Sequence, residues 1–71
     1  MEKDVVRQFG KHIRNLRVEN KLTQEELAGR SSISLKYIQR IEGKNPPNLG
    51  LVKLQGLAKG FDLPLWKLMK F

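Results

Sequence analysis

Lys36, Gln39 and Arg40 are three and four residues apart, so on a helix they share one face, with Leu35 beside them. Those side chains suit recognition of base edges. A glutamine amide bonds adenine bidentately, an arginine guanidinium bonds guanine, and lysine reaches guanine or a phosphate. Thr23 and Gln24 open a second short helix, where free backbone N–H groups and the helix dipole favour a phosphate. Lys44 and Asn45, just past the first group, could hold another. Other chemistries find little support. His12 is the one histidine and there is no cysteine, so no metal-ligand set is expected and His12 is assigned to the surface of its helix. No Ser-His-Asp set, phosphate-cradling glycine loop or carboxylate pair stands out. A non-enzyme with no metal and no cofactor is expected.

The elements that position these residues are helical. Val6, Phe9, Ile13 and Leu16 are spaced three, four and three, the stripe of an amphipathic helix from about Asp4 to Asn20. Asp4 is the expected cap, and Asn20 the expected left-handed stop. Thr23-Gln24-Glu25-Glu26 is a capping box opening a short helix that buries Leu27 and Ala28. Ser31-Ser32 reads as a turn. Ser34 then caps a third helix, with Ile38 and Ile41 inward and Ile33 anchoring its start. Gly43 to Asn48, with Pro46-Pro47, is a loop. Leu51, Leu54, Leu57, Ala58 and Phe61 share a face of a fourth helix, from about Leu51 to Gly60, with Gly50 as its N-cap. Gly56 inside it costs about 0.8–1 kcal/mol relative to alanine. Asp62-Leu63-Pro64 begins a last short helix that turns Leu65 and Leu68, and with them Met69, toward the core.

The chain has 71 residues, one small domain with a modest core. Fourteen Lys and Arg against seven Asp and Glu leave +7 and a pI near 10.2. That balance points to a polyanion: nucleic acid first, an anionic membrane surface second. No apolar run approaches membrane-spanning length and the N-terminus lacks a signal-peptide pattern, so a soluble cytoplasmic protein is expected. A start at Met and an end soon after the fifth helix suit a whole protein of one domain, 1–71.

Leu22-Thr23-Gln24-Glu25-Glu26-Leu27-Ala28, followed by Ile33-Ser34 and Tyr37-Ile38-Gln39-Arg40-Ile41-Glu42, resembles the Cro/CI-type (XRE) helix-turn-helix family. That family includes phage repressors, restriction–modification controllers and many bacterial regulators. The resemblance continues through Ile13-Arg14-Asn15-Leu16-Arg17 upstream, and through Leu57-Ala58-Lys59 and Leu63-Pro64-Leu65 downstream. It implies an all-α, five-helix, lambda-repressor-like domain whose helices 2 and 3 form the helix-turn-helix. It also implies double-stranded DNA as partner, bound as a homodimer with two reading helices about 34 Å apart.

By the same resemblance, Leu35, Lys36 and Arg40 match base-contacting positions, with Gln39 beside them. Gln24 grips a phosphate and braces the reading helix, and Arg17 pairs with Glu42. Two positions depart from the family: Lys21 and Ser32 stand where glycine is usual, although positive φ is uncomfortable for both. The loop from Gly43 to Gly50 is also slightly long. Trp66 is expected to point outward and, with Met69 and Phe71, to form an apolar patch for dimer contact; the competing expectation is that Trp66 covers its own core. The reading that results is a sequence-specific transcriptional regulator, a repressor of a palindromic operator. Its rivals are an antitoxin-like, partner-binding module of the same fold and a basic domain that binds RNA or anionic membranes through charge alone.

Overall fold

The computed structural model describes residues 2–71, with side-chain detail from Asp4 onward. Five helices follow in order: α1 (Glu2–Glu19), α2 (Gln24–Ser31), α3 (Leu35–Ile41), α4 (Leu51–Gly60) and α5 (Leu65–Leu68). Among the described residues there is no strand. The helix order and type are those expected from periodicity and caps. α2 is the hub of the packing, against α4 on one side and α3 on the other, and α5 closes on α4.

One core joins all five helices. Ile13 from α1, Leu27 from α2, Ile38 and Ile41 from α3, Leu57 from α4 and Leu68 from α5 are fully buried. Burying side chains of this size stabilises by about 1.5–3 kcal/mol each. A short helix such as α3 is unstable alone, so Ile38 and Ile41 are what hold it. Its start is secured by Ser34, whose side chain accepts the Tyr37 N–H at 3.1 Å. The capping box of α2 is complete: Thr23 Oγ1 accepts from the Glu26 N–H at 3.0 Å, and Glu26 Oε1 accepts from the Thr23 N–H at 2.8 Å. The Thr23 backbone bond, and then its side chain, hold the Glu26 carboxyl below its ordinary pKa.

Several boundaries differ from expectation. α1 begins at Glu2, so Asp4 lies inside the helix rather than capping it. Asn20 does not take the left-handed stop. Its side-chain amide donates to the Leu16 carbonyl at 2.7 Å, and Lys21, one residue on, carries φ 56°. Ser31 is not in the turn but ends α2; its hydroxyl is buried and donates to the Leu27 carbonyl at 2.7 Å. α5 begins at Leu65 with Pro64 as its N-cap rather than at Asp62, which takes φ 57°. Leu51 is 76% exposed, because α4 buries only its C-terminal half and its first turn overhangs the core. Gly56 is explained by packing: a Cβ there would stand 2.7 Å from the Ser31 carbonyl oxygen. The close approach of α2 and α4 therefore requires glycine despite its helix propensity.

The first and third helices are joined by an ion pair. Arg17 Nε donates to Glu42 Oε2 at 2.8 Å and Nη2 to Oε1 at 2.9 Å. The third guanidinium nitrogen donates to the Leu22 carbonyl at 2.9 Å, and Gln24 Nε2 reaches Glu42 Oε1 at 3.2 Å. The Glu42 side chain is only 4% exposed and that of Arg17 14%. The Glu42 hydrogen bonds raise the Arg17 guanidinium above its already high ordinary pKa. One carboxylate thus ties α1, the start of α2 and the end of α3.

The strained turn and the ion pair can each be tested. Ser32 has φ 57°, a conformation costing an L-residue about 1–2 kcal/mol, of which glycine's added chain entropy offsets about 0.5–1. Ser32→Gly should therefore raise the melting temperature by about 2–8 °C. A lower value in thermal unfolding would mean that the serine makes contacts worth more than the strain. Arg17→Ala leaves a buried carboxylate with one weak partner and should destabilise by about 3 kcal/mol. Replacing both ends, Arg17→Met with Glu42→Leu, should restore most of that loss, because paired removal leaves no buried charge. Unchanged stability in Arg17→Ala would show that the pair contributes nothing.

Candidate nucleic-acid interface

α3 rests on Ile38 and Ile41, so its opposite side faces out. Lys36, Gln39 and Arg40 are exposed there, and Leu35 is half-buried at the first turn. These four residues are brought together on one turn and a half of helix. No internal hydrogen bond engages the three polar ones among the described residues. Their donors and acceptors are available to an outside partner.

Tyr37 adds an element that sequence reasoning missed. Its ring is half-buried, with the Arg40 guanidinium 5.7 Å from its centroid and the Lys53 ammonium of α4 at 4.7 Å. Contacts at these distances are attractive. The ring limits where Arg40 points and brings a cation from another helix up to the edge of α3. The Tyr37–Arg40 spacing was visible as an i, i+3 pair; Lys53 is sixteen residues away in sequence, and no local signal links it.

Thr23 and Gln24 stand at the start of α2 as expected. Thr23 is exposed and Gln24 half-buried, with its amide turned to Glu42. That bond makes Gln24 part of the same network as Arg17. Lys44 and Asn45 are exposed in the segment leaving α3, but they do not face one place. Lys44 lines a cleft of about 460 Å³ with Arg7, Lys11 and Arg14 of α1, beside Glu42 and Gly43. Asn45 lines a smaller depression with Val6, Arg7 and Pro46. The basic residues of α1 were not singled out from sequence, although their spacing of four and three was a usable signal.

Trp66, Met69 and Phe71, expected to form an apolar patch, are all exposed. Trp66 is 69% exposed and points away from the core. Phe71 instead turns back: its ring lies 5.4 Å from that of Phe9, edge-on, and 5.4 Å from that of His12, stacked. Phe71 and Met69 line a groove with Val5, Val6 and Leu49, and Trp66 is not part of its wall. His12 is correspondingly not a plain surface residue. It is half-buried, and its Nε2–H donates to the Leu68 carbonyl at 2.8 Å, tying α1 to the end of α5. A second apolar depression, lined by Leu51, Val52, Gln55 and Leu65, lies where α4 and α5 meet. Leu51 and Val52 are more exposed than Trp66.

Among the described residues no group of three His, Asp or Glu gathers in metal-binding geometry, and no helix is long and apolar enough to cross a membrane. The outward chemistry is that of hydrogen-bond donors and positive charge around α3.

Comparisons with known proteins agree with this geometry. A family model described as a helix-turn-helix domain matches residues 10–70. No curated protein matches the chain in sequence. Among solved structures, the chain is similar to the restriction-modification controller protein C.AhdI from Aeromonas hydrophila. The TM-score is 0.81 and the identity 32%, over 89% of this chain and 94% of that one. It is also similar to a mutant of the restriction-modification controller C.Esp1396I, with TM-score 0.83 and 28% identity over 97% and 90%. The same controller bound to a 19-base-pair DNA duplex matches with TM-score 0.79 and 28% identity, over 92% and 89%. With its capping box, its α2–α3 turn and its Arg17–Glu42 pair, the chain belongs to the helix-turn-helix domain family, in its Cro/CI-type (XRE) form.

Proposed function

We propose that this protein is a sequence-specific, DNA-binding transcriptional regulator, a repressor that acts as a homodimer on a two-fold operator. The carrying observation is the outward face of α3. Lys36, Gln39 and Arg40 are exposed on a helix fixed from beneath by Ile38, Ile41 and the Arg17–Glu42 pair. Such a helix fits the major groove, where these side chains read base edges. A similar controller bound to a DNA duplex supports the same reading.

In this reading Leu35, Lys36, Gln39 and Arg40 meet bases. Thr23 and Gln24, at the start of α2, and Lys44 and Asn45, after α3, meet phosphates. Gln24 also braces Glu42. Regulation comes from occupying DNA rather than from catalysis, in the cytoplasm and by a single domain spanning the chain. The dimer forms through the apolar depression where the first turn of α4 meets α5, lined by Leu51, Val52 and the half-buried Leu65, with the exposed Trp66 of α5 as a further contact. A two-fold contact there is self-complementary and sets the spacing of two reading helices at about one DNA turn.

Selection of bound duplexes from a random pool should return a two-fold-related site. Arg40→Ala should cost about 1–3 kcal/mol on that site and relax one base position in each half. Equal affinity for every duplex would refute the reading and favour a domain that binds by charge alone. The dimer face has its own test: Val52→Glu with Trp66→Glu should yield monomers in sedimentation at micromolar concentration. Affinity for a single half-site should be retained while affinity for the full site falls. A dimer that persists in this variant would locate the contact elsewhere.

A further inference from the structure

Arg7, Lys11 and Arg14 take no visible part in the fold. Their spacing of four and three puts them on one face of α1. All three are exposed, and among the described residues the ion pair present is that of Arg17 with Glu42. With Lys44 they surround the cleft between α1 and the segment leaving α3. Glu42 is the carboxylate on the cleft wall, and its oxygens are already engaged by Arg17 and Gln24. The cleft therefore presents four cations and no free counter-charge among its lining residues.

We propose that this cleft seats the backbone of the DNA strand that passes the end of α3, continuing the phosphate contact of Lys44 along Arg14, Lys11 and Arg7. The inference rests on the DNA-binding reading above and extends its footprint. Three features favour a strand over a single anion. Like charges at these helical spacings repel and destabilise the free helix, so a polyanion relieves several repulsions at once. From residue 7 to residue 14 the helix rises about 10 Å, so the three cations are strung along a line rather than gathered round one point, as an extended polyanion requires. Lys44 lies two residues beyond the C-cap of α3, so a strand in the cleft is continuous with one bordering the groove that α3 enters.

Salt dependence on the selected duplex tests this. The variant Arg7→Ala/Lys11→Ala/Arg14→Ala should lower the slope of log affinity against log salt by about 2.7, at about 0.9 for each phosphate it no longer neutralises. Between 50 and 200 mM salt, that changes the affinity ratio of wild type to variant by roughly 40-fold. Each single substitution should lower the slope by about 0.9. Base preference should stay that of the wild type, the melting temperature should not fall, and hydroxyl-radical footprinting should show fewer protected sugars. A control variant, Arg30→Ala/Lys59→Ala, removes two cations outside the cleft and should leave the slope unchanged. A triple-variant slope equal to wild type, with site preference intact, overturns the cleft proposal and leaves the regulator reading standing. An equal loss of slope per charge in the control overturns it too, since net charge would then be the cause. Failure of the wild-type protein to prefer any duplex overturns both.

Discussion

The Glu42 carboxylate is the point on which the arrangement of the first three helices depends. It is nearly inaccessible to water, and a buried charge is tolerated only with full partners. Arg17 supplies two bonds and Gln24 a third. Those partners come from α1 and from the start of α2, while Glu42 itself ends α3. The network therefore sets α3 against two other helices at once. The remaining guanidinium donor holds the Leu22 carbonyl, which fixes the link between α1 and α2. The position of the outward face of α3 follows from this pair and from the two isoleucines beneath it.

The rest of the packing serves the same end. α3 has seven residues, too few to be a helix by itself, and it leans on α2. α2 in turn lies so close to α4 that Gly56 admits no side chain. The tight turn between α2 and α3 carries strain at Ser32, whose φ is positive without glycine's freedom. Order in this small domain thus comes from an apolar core, one buried ion pair and close helix contacts, with no cysteine to staple it. Charge is distributed differently: it lies outside, around α3 and along α1, where it does little for the fold.

Much of the fold was legible in local sequence. The 3-4-3 stripe of Val6, Phe9, Ile13 and Leu16 marked α1. The Thr23–Glu26 box and the Ser34 cap located the starts of α2 and α3, because capping is chemistry within four residues. Two of the strained turns were visible as departures, with Lys21 and Ser32 standing where glycine is usual; the third, at Asp62, was not. The misses share one cause. His12 had no local partner, and only the return of α5 brought the Leu68 carbonyl and the Phe71 ring to it. Leu51 kept the right face of its helix, but the first turn of α4 runs past the core. Trp66, Met69 and Phe71 are exposed as expected, but the packing of the Phe71 ring on Phe9 and His12 of α1 had no local signal.

Lys36, Gln39 and Arg40 share a face by helical spacing alone, so their grouping needed no structure. Sequence by itself determined that these residues would stand together on a short capped helix, because i, i+3 and i+4 spacing and hydrogen-bonded caps are local. Only the tertiary structure decided what surrounds that helix: Lys53 beside Tyr37, and the cations of α1 across a cleft from Lys44. Those meetings join residues sixteen to thirty-seven positions apart. They arise from the packing of whole helices around one core, which no local pattern encodes.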